Sequence, residues 1–249
     1  MKHKLFLTLI SLIIIGLLAG CAQQDDDVLV VATDATFPPF EFVDEETKDI
    51  IGFDIDLMNA IAERADLNIS YQNVGWDPLL AGMADCQYDM AISAMTITEE
   101  RAQVFSFSDP YINAGQIVVV AIGNDTINGP ADLVGATIGA QIGTTGAMEA
   151  EAIEDSELKV YDTYEFAFLD LANGQIDAVI ADYPTAVAFV NQNADSLQVV
   201  GEVFTDENYG IAFCMGNDEL IAQVNAALAE LQAEGFIDQL VVEWYGDAE

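Results

Sequence analysis

Arg101 is the residue in this sequence whose chemistry needs the most explanation, because basic side chains are rare here. The chain holds six basic residues against 43 acidic ones, and Arg101 ends the stretch SAMTITEER at 93–101. Thr96 or Thr98 is a good N-cap, which predicts a following helix with Arg101 in its first turn, where the helix dipole disfavours a cation. The pattern therefore leaves two interpretations open: an anion-binding role, or a surface salt bridge to one of the two preceding glutamates.

A second candidate anion site is the segment GAQIGTTGAMEA at 139–150. It is typical of a strand, a glycine-bearing turn and a helix that begins near Thr144 and Thr145. Free N–H groups and hydroxyls at such a helix start can hold an anion. The segment lacks the phosphate-loop and dinucleotide motifs, so a small carboxylate fits it better than a polyphosphate, and an ordinary helix cap is the alternative.

Two aspartates and two aromatic residues follow predicted strands. Asp182 precedes Tyr-Pro, and Asp34 ends the first strand; each could pair with an ammonium group or act as an N-cap. Phe37 and Trp76 could form an apolar clamp around a ligand or belong to the core.

Composition excludes several classes of function. The formal net charge of -37 disfavours nucleic acid, whose phosphates need clustered lysine or arginine. The one histidine, His3, lies in the predicted leader, so histidine-dependent catalytic sites and histidine metal sites are excluded from the mature chain. We expect no catalytic residues, no metal and no cofactor.

Hydrophobic periodicity predicts the elements that position these residues. Strands and helices alternate as β-α-β-α-β up to about residue 95, and a similar block starts near residue 115. This order predicts an α/β fold with two lobes. Since α/β sheets bind ligands at the carboxyl ends of their strands, a site between the lobes is expected.

The N-terminus predicts export. A short basic stretch precedes an apolar run, which is short for a membrane span, and the sequence LAGC ends at Cys21. Residues 18–21 resemble the lipobox of prokaryotic lipoproteins, which implies cleavage before Cys21 and acylation of that residue. An uncleaved anchor helix is the alternative. Either interpretation places the protein outside the cytoplasm, held to the membrane.

The chain resembles the family 3 extracellular solute-binding proteins, the amino-acid-binding components of ABC importers. The resemblance runs from about Val28 to Gly246 and rests on ATDATFPPFEF, GFDIDL, SAMTITEER, FSDPY, IGTTG, DAVIADYP and YGIAF, which occur in the family's order. It implies the two-lobe type II fold of periplasmic binding proteins with two hinge crossings. The implied divisions are a signal peptide at 1–20, a lipidated cysteine and tether at 21–27, lobe 1 at 28–114, lobe 2 at 115–204 and a return to lobe 1 at 205–249.

The resemblance also implies roles for the site residues. An amino-acid carboxylate would be held by Arg101, Thr96 and Thr144, beside Thr145. The ammonium group would be held by Asp182, with backbone help near Ser93 and Ala94. The side-chain pocket would be formed by Asp34, Phe37, Trp76 and Gln141.

The cysteines Cys86 and Cys214 are open from sequence alone to two interpretations, a disulfide or two buried free thiols. The resemblance would put both in lobe 1, near strands of opposite direction, which favours a disulfide.

The implied function is capture of a free L-amino acid by lobe closure and its delivery to an ABC permease, by a monomer that is not an enzyme. The acidic pocket favours arginine, lysine, ornithine or histidine, with glutamine or another polar amino acid behind them. The alternative is a periplasmic cyclohexadienyl dehydratase on the same fold, which an additional acid in the cleft would favour.

Overall fold

The computed structural model describes residues 28–245. The predicted signal peptide, the lipidation site Cys21 and the tether therefore lie outside the described residues, as do residues 246–249.

The helices of this region agree with the predicted periodicity in type and, within a few residues, in extent. They are Phe53–Arg64 (α1), Trp76–Ala84 (α2), Thr145–Ala152 (α3), Tyr164–Ala172 (α4), Tyr183–Gln192 (α5), Asp218–Ala233 (α6) and Phe236–Tyr245 (α7), with short 3-10 helices at Arg101–Gln103 and Pro130–Asp132.

The strands are mostly short. They are Leu29–Thr33 (β1), Thr36–Phe37 (β2), Glu41–Val43 (β3), Ile50–Ile51 (β4), Ile69–Asn73 (β5), Met90–Ala91 (β6), Ser106–Phe107 (β7), Ile112–Ala114 (β8), Gln116–Ala121 (β9), Thr137–Gln141 (β10), Glu157–Tyr161 (β11), Ala178–Asp182 (β12), Leu197–Val200 (β13), Glu207–Tyr209 (β14) and Ala212–Phe213 (β15).

Two five-stranded sheets form the two lobes. The first has the order β5-β1-β6-β15-β7 and the second the order β11-β10-β12-β9-β13. In each sheet three parallel strands are followed by an antiparallel one, β15 in the first and β9 in the second. The two blocks of the sequence thus build sheets of the same topology, and the predicted α/β class is confirmed.

Buried apolar residues explain why these elements form. Strand β9 reads QIVVVA and is buried over its first five residues, as expected for a strand covered on both faces. Helix α6 buries Val224, Ala227, Leu228 and Leu231, at helical spacing, and packs on α1. Burying one such leucine contributes about 1.5–3 kcal/mol.

The chain passes between the sheets twice. Strand β8 leads from the first sheet into β9, and β14 leads back from the second. The two crossings pair as antiparallel strands, with Glu207 opposite Ala114 and Tyr209 opposite Ile112. They form a two-stranded hinge that brings the carboxyl ends of both sheets together. The chain passes from one sheet to the other near the predicted lobe boundaries. The boundaries themselves, given as residue numbers, stay a prediction.

Two predicted strands are shorter than expected. The strand predicted over 89–95 ends at Ala91, because the chain turns at Ala94, which has φ +45°, and the Ala94 N–H donates to Asp54 instead of to a ladder. The strand predicted over 209–214 divides into β14 in the hinge and β15 in the first sheet.

The two cysteines are joined. Cys86 follows α2 and Cys214 follows β15, and they form a disulfide with their Cα atoms 5.2 Å apart. The bridge connects the N-terminal part of the first lobe to its C-terminal return. Within 28–245 no helix is long and apolar enough to cross a membrane.

Candidate functional site

The carboxyl ends of four strands supply the core of the candidate site. Asp34 follows β1, Ser93 lies two residues beyond β6, and Gln141 and Asp182 are the last residues of β10 and β12. Because the hinge holds the two sheets with these ends facing each other, the side chains meet between the lobes.

One cavity brings together all eleven residues that the sequence predicts for the site. Its lining is Asp34, Phe37, Glu41, Trp76, Ser93, Ala94, Thr96, Arg101, Gln141, Thr144, Thr145 and Asp182. Glu41 is the one member that the sequence analysis did not predict.

Arg101 is buried, with 6% of its surface exposed. Its guanidinium donates to the Thr96 carbonyl (2.8 Å) and the Gly143 carbonyl (3.1 Å), and it lies over the Trp76 ring at 5.2 Å. Within 28–245 no carboxylate oxygen lies within 4.0 Å of the guanidinium, and both preceding glutamates are exposed. The interpretation of Arg101 as a partner in a surface salt bridge is therefore wrong. Several N–H donors of a buried cation are therefore available to an anion.

The local structure around Arg101 differs from the prediction. The expected helix is a single 3-10 turn, Arg101–Gln103, too short to carry a substantial dipole. Thr98 accepts the Arg101 N–H, while the Thr96 hydroxyl turns away and donates to Glu207. Burial lowers the pKa of Arg101, and the charges of Asp182 and Glu207 offset part of this effect. An arginine side chain stays protonated in proteins even when its pKa is lowered.

Helix α3 presents its N-terminus to the same cavity. The Thr144 hydroxyl is the N-cap: it accepts from the Ala147 N–H and donates to the Gln141 carbonyl. The N–H groups of Thr145 and Gly146 have no acceptor in the part of the chain that the structure describes. Gly143, at φ +72°, makes the turn into this helix, a conformation that suits glycine. The geometry supports both the cap and the anion seat.

Asp182 is buried where the second sheet meets the hinge. One carboxylate oxygen accepts from the Tyr209 hydroxyl (2.7 Å) and from the Gln116 amide (3.1 Å). Asp182 occupies the N-cap position of α5, as the alternative interpretation expected, but its side chain makes no capping hydrogen bond. Burial, followed by the charge of Glu207, raises the pKa of Asp182 to about 7.

Glu207 binds hydroxyl groups from both lobes. One of its oxygens accepts from Thr96 of the first lobe and from Thr145 of the second, each at 2.8 Å, and the other accepts from Thr205. This carboxylate on β14 therefore occupies two hydroxyls that the sequence assigned to a ligand.

Asp34 lies in a second group of polar contacts. Its carboxylate accepts from the Thr36 hydroxyl (2.9 Å) and, across the cleft, from the Gln141 amide (3.0 Å). The chain continues into β2 and not into a helix, so Asp34 is not an N-cap. Burial raises its pKa. The Ser93 hydroxyl links this group to Glu41, since it accepts the Asp34 N–H and donates to Glu41.

Phe37 and Trp76 are both core residues and cavity residues. Phe37 packs against Phe40 of its own lobe and against Tyr164 of the other, with ring centroids 6.2 and 5.7 Å apart. Trp76 begins α2 and lies under Arg101. Both aromatics therefore belong to the core and also line the cavity, where they could contact a ligand.

Three polar residues of this region were missed by the sequence analysis: Glu41, Glu207 and Gln116. Glu41 lies between two phenylalanines in PPFEF, and this apolar surrounding could have indicated that its side chain is buried. Glu207 and Gln116 show no local signal, because their partners lie up to 111 residues away.

The other basic residues of the described range, 28–245, lie outside the cavity. Arg64 pairs with Glu230 and Glu234, Lys159 pairs with Asp170, and Lys48 is exposed. The cavity therefore combines one cation with the carboxyl groups of Asp34, Glu41 and Asp182. No cluster of side chains suited to a metal ion occurs between residues 28 and 245.

Comparison with known proteins gives consistent matches. Residues 29–247 match the bacterial extracellular solute-binding proteins, family 3. The L-cystine-binding protein TcyJ of Escherichia coli K12 is 32% identical over 225 residues, 90% of this chain and 84% of that protein. The ABC transporter arginine-binding protein 1 of the same organism is 35% identical and covers 85% of this chain and 88% of its own.

Solved structures match the fold closely. The arginine-, lysine-, histidine-binding protein ArtJ from Geobacillus stearothermophilus superimposes with a TM-score of 0.83 at 39% identity, over 88% of this chain and 96% of that one. The predicted two-lobe fold is confirmed by this match.

Proposed function

The chain belongs to the bacterial extracellular solute-binding proteins of family 3, and from this membership we propose that it captures a cationic or polar L-amino acid between its lobes and delivers it to the permease of an ABC importer. Membership implies an extracytoplasmic location. Attachment to the membrane through a lipid on Cys21 is part of the proposal, and the loss of membrane association in Cys21→Ser would support it.

The observation that carries the proposal is the state of Arg101. A buried guanidinium with two carbonyl contacts and no carboxylate partner within 4.0 Å among residues 28–245 is energetically unfavourable until an anion binds. A ligand carboxylate can bind it in a bidentate manner. The N–H groups at the start of α3 lie on the same cavity and favour the same anion.

Asp182 supplies the opposite charge for the ligand ammonium group. Both it and Arg101 are buried, and isolating either charge of a zwitterion in the cavity would cost several kcal/mol. Pairing both ends therefore selects α-amino acids over simple carboxylates or amines.

Closure follows from how the site is divided between the lobes. Arg101 belongs to the first lobe, while α3 and Asp182 belong to the second, so a ligand completes its contacts only when the lobes approach. The lobes already meet through the Gln141–Asp34 and Arg101–Gly143 hydrogen bonds. The ligand stabilises this closed arrangement by its additional contacts, and β8 and β14 act as the hinge.

The acidic lining favours a cationic side chain. A ligand with a negative side chain would meet Asp34 and Glu41 with no second cation to balance it. Relatives named as arginine-binding proteins agree with this inference. We therefore propose arginine, lysine, ornithine or histidine as the ligand, and glutamine or another neutral polar amino acid as the second choice.

Glu41 is a specific observation in favour of the alternative, a cyclohexadienyl dehydratase. It is an additional buried acid in the cavity, and burial raises its pKa well above the ordinary value, as a proton donor requires. Prephenate carries two carboxylates, however, and the cavity offers one cation. Formation of phenylpyruvate from prephenate, followed by absorbance, would establish the enzyme.

Calorimetric titration against all twenty amino acids tests the proposal. We expect micromolar or tighter binding of at least one cationic amino acid. Binding of glutamate or aspartate alone would contradict the charge argument.

A further inference from the structure

Two carboxyl groups, Glu41 and Asp54, lie together at one side of the cavity, and no cation of residues 28–245 pairs with either of them. Both side chains are 0% exposed, and Glu41 lines the cavity. One oxygen of Glu41 accepts from the Ser93 hydroxyl at 2.8 Å. One oxygen of Asp54 accepts from the Ala94 N–H (2.7 Å) and the Tyr111 hydroxyl (2.9 Å).

The remaining oxygens of this pair are buried and unpartnered. Glu41 Oε2 and Asp54 Oδ1 have no donor within residues 28–245. The charge of Asp54 acts directly on Glu41 and raises the pKa of its carboxyl group. A buried pair of this kind shares a proton, because two adjacent charges in a low dielectric repel strongly.

The groups that face the pair do not neutralise it. They are the carboxyl group of Asp34 and the phenols of Tyr71, Tyr111 and Tyr245, which come from four separate segments of the chain, and none is a cation. Burial raises the pKa of Asp54 to about 7 and that of Glu41 well above its usual range.

The acids of the cavity region fall into two groups. Asp182 and Glu207 are the carboxylates that act most strongly on Arg101, whereas Asp34 and Asp54 act on Glu41. A ligand whose carboxylate binds Arg101 and whose ammonium group binds Asp182 would extend its side chain towards Asp34, Glu41 and Asp54.

We propose that Glu41, backed by Asp54, receives the cationic side chain of the ligand, and that the proton shared by these two carboxyl groups is released when that cation binds. The inference rests on the proposed function and specifies its ligand class. A cation beside Glu41 favours the ionised form, so the proton passes to solvent and affinity for a cationic ligand rises with pH.

The acceptors at this end suit a guanidinium. Gln141 uses its amide N–H donors on Asp34 and on the Asp162 carbonyl, which leaves its own oxygen as an acceptor. Glu41 Oε2, one Asp34 oxygen and this amide oxygen together offer acceptors to a planar group with five N–H donors.

The test compares arginine with citrulline, its neutral isostere, by calorimetry of the intact protein. Titrations at pH 7 in two buffers of different ionisation enthalpy give the number of protons released. Any proton released by Asp182 is common to both ligands, so the difference between them reports the Glu41 end. We expect arginine to release more protons than citrulline, and to gain affinity from pH 6 to pH 8 by a larger factor.

Glu41→Gln is the matched variant. It should abolish the excess proton release and reduce the preference for arginine over citrulline by about 30-fold or more, while citrulline affinity changes by less than about threefold. Asp34→Asn is the control for the neighbouring carboxylate and should leave the excess proton release in place.

Four outcomes overturn the inference. These are equal proton release for the two ligands by the wild type, an unchanged arginine preference in Glu41→Gln, loss of the excess release in Asp34→Asn alone, and failure of the wild type to bind any amino acid. Only the last also removes the proposed function. Should Glu41→Gln fail to fold, the wild-type comparison alone decides.

Discussion

The two ends of the cavity solve opposite electrostatic problems. At the first end, Arg101 is a buried cation with unused donors, and Asp182 and Glu207 are held in place by hydroxyl and amide groups from both lobes and the hinge. At the second end, Asp34, Glu41 and Asp54 place three buried carboxyl groups together with no cation. In the proposed function, the first end holds the carboxylate and ammonium groups that every α-amino acid has, whereas the second end distinguishes one side chain from another. Single substitutions at either end should separate these two roles by their effect on ligand affinity.

Arg101→Ala should weaken binding of every ligand by about 2–5 kcal/mol, roughly 30- to 4,000-fold, because the ligand carboxylate would be buried without its partner. Calorimetry with arginine and citrulline measures both losses. Arg101→Lys keeps the charge but loses the planar guanidinium, so its ligand affinity should lie between those of the wild type and of Arg101→Ala. If only the affinity for arginine decreased, Arg101 would not be the partner of the ligand carboxylate at the first end.

Asp182→Asn should weaken both ligands by a smaller factor, about 10- to 100-fold, because the ligand ammonium group loses its charged partner. The ammonium group binds the ionised form of Asp182, whose pKa is raised to about 7 by burial. Affinity of the wild type for citrulline should therefore fall as the pH decreases below about 7, by up to tenfold per pH unit. The variant should lose this dependence; an equally steep profile in Asp182→Asn would show that another group titrates.

Trp76→Leu should weaken binding by about 0.5–2 kcal/mol, since the indole face stabilises the Arg101 guanidinium. The loss should be equal for arginine and citrulline, as measured by calorimetry at one pH. A selective loss of arginine would mean that Trp76 contacts the ligand side chain and belongs to the second end. Trp76→Phe keeps an aromatic face and serves as the control.

Replacing both Cys86 and Cys214 by serine should change the affinity for either ligand by less than about threefold, because the disulfide lies outside both ends. The free energy of unfolding should decrease by about 2–5 kcal/mol, measured by urea denaturation. A large loss of affinity in a folded variant would indicate that the bridge holds the first lobe in its binding geometry.

Much of the fold was predictable because its signals are local. Helix α6 and strand β9 have clear apolar patterns, and their bounds agree with the prediction within a few residues. The rule that sites lie at the carboxyl ends of strands indicated Asp34 and Asp182 for the cleft, and both residues line the cavity. Family resemblance extended this set to eleven of the twelve residues that line the cavity.

The errors come from contacts between distant segments. The expected helix at Arg101 is one 3-10 turn, and the strand before it ends early because Asp54, 40 residues away, accepts the Ala94 N–H. Neither Asp34 nor Asp182 caps a helix with its side chain, because each carboxylate accepts hydrogen bonds from other parts of the chain. Local propensity cannot anticipate such a competitor.

The sequence by itself determined the α/β class, the two-block organisation and the scarcity of basic residues, which singles out Arg101. Periodicity and composition are properties of neighbouring residues, which is why these conclusions needed no coordinates. The tertiary structure decided which charges are buried together: the isolation of Arg101 from carboxylates, the bridging role of Glu207 and the pairing of Glu41 with Asp54. Burial and proximity in space set the pKa of an acid and the need of a cation for a partner, and both arise only when the two lobes and the hinge are assembled.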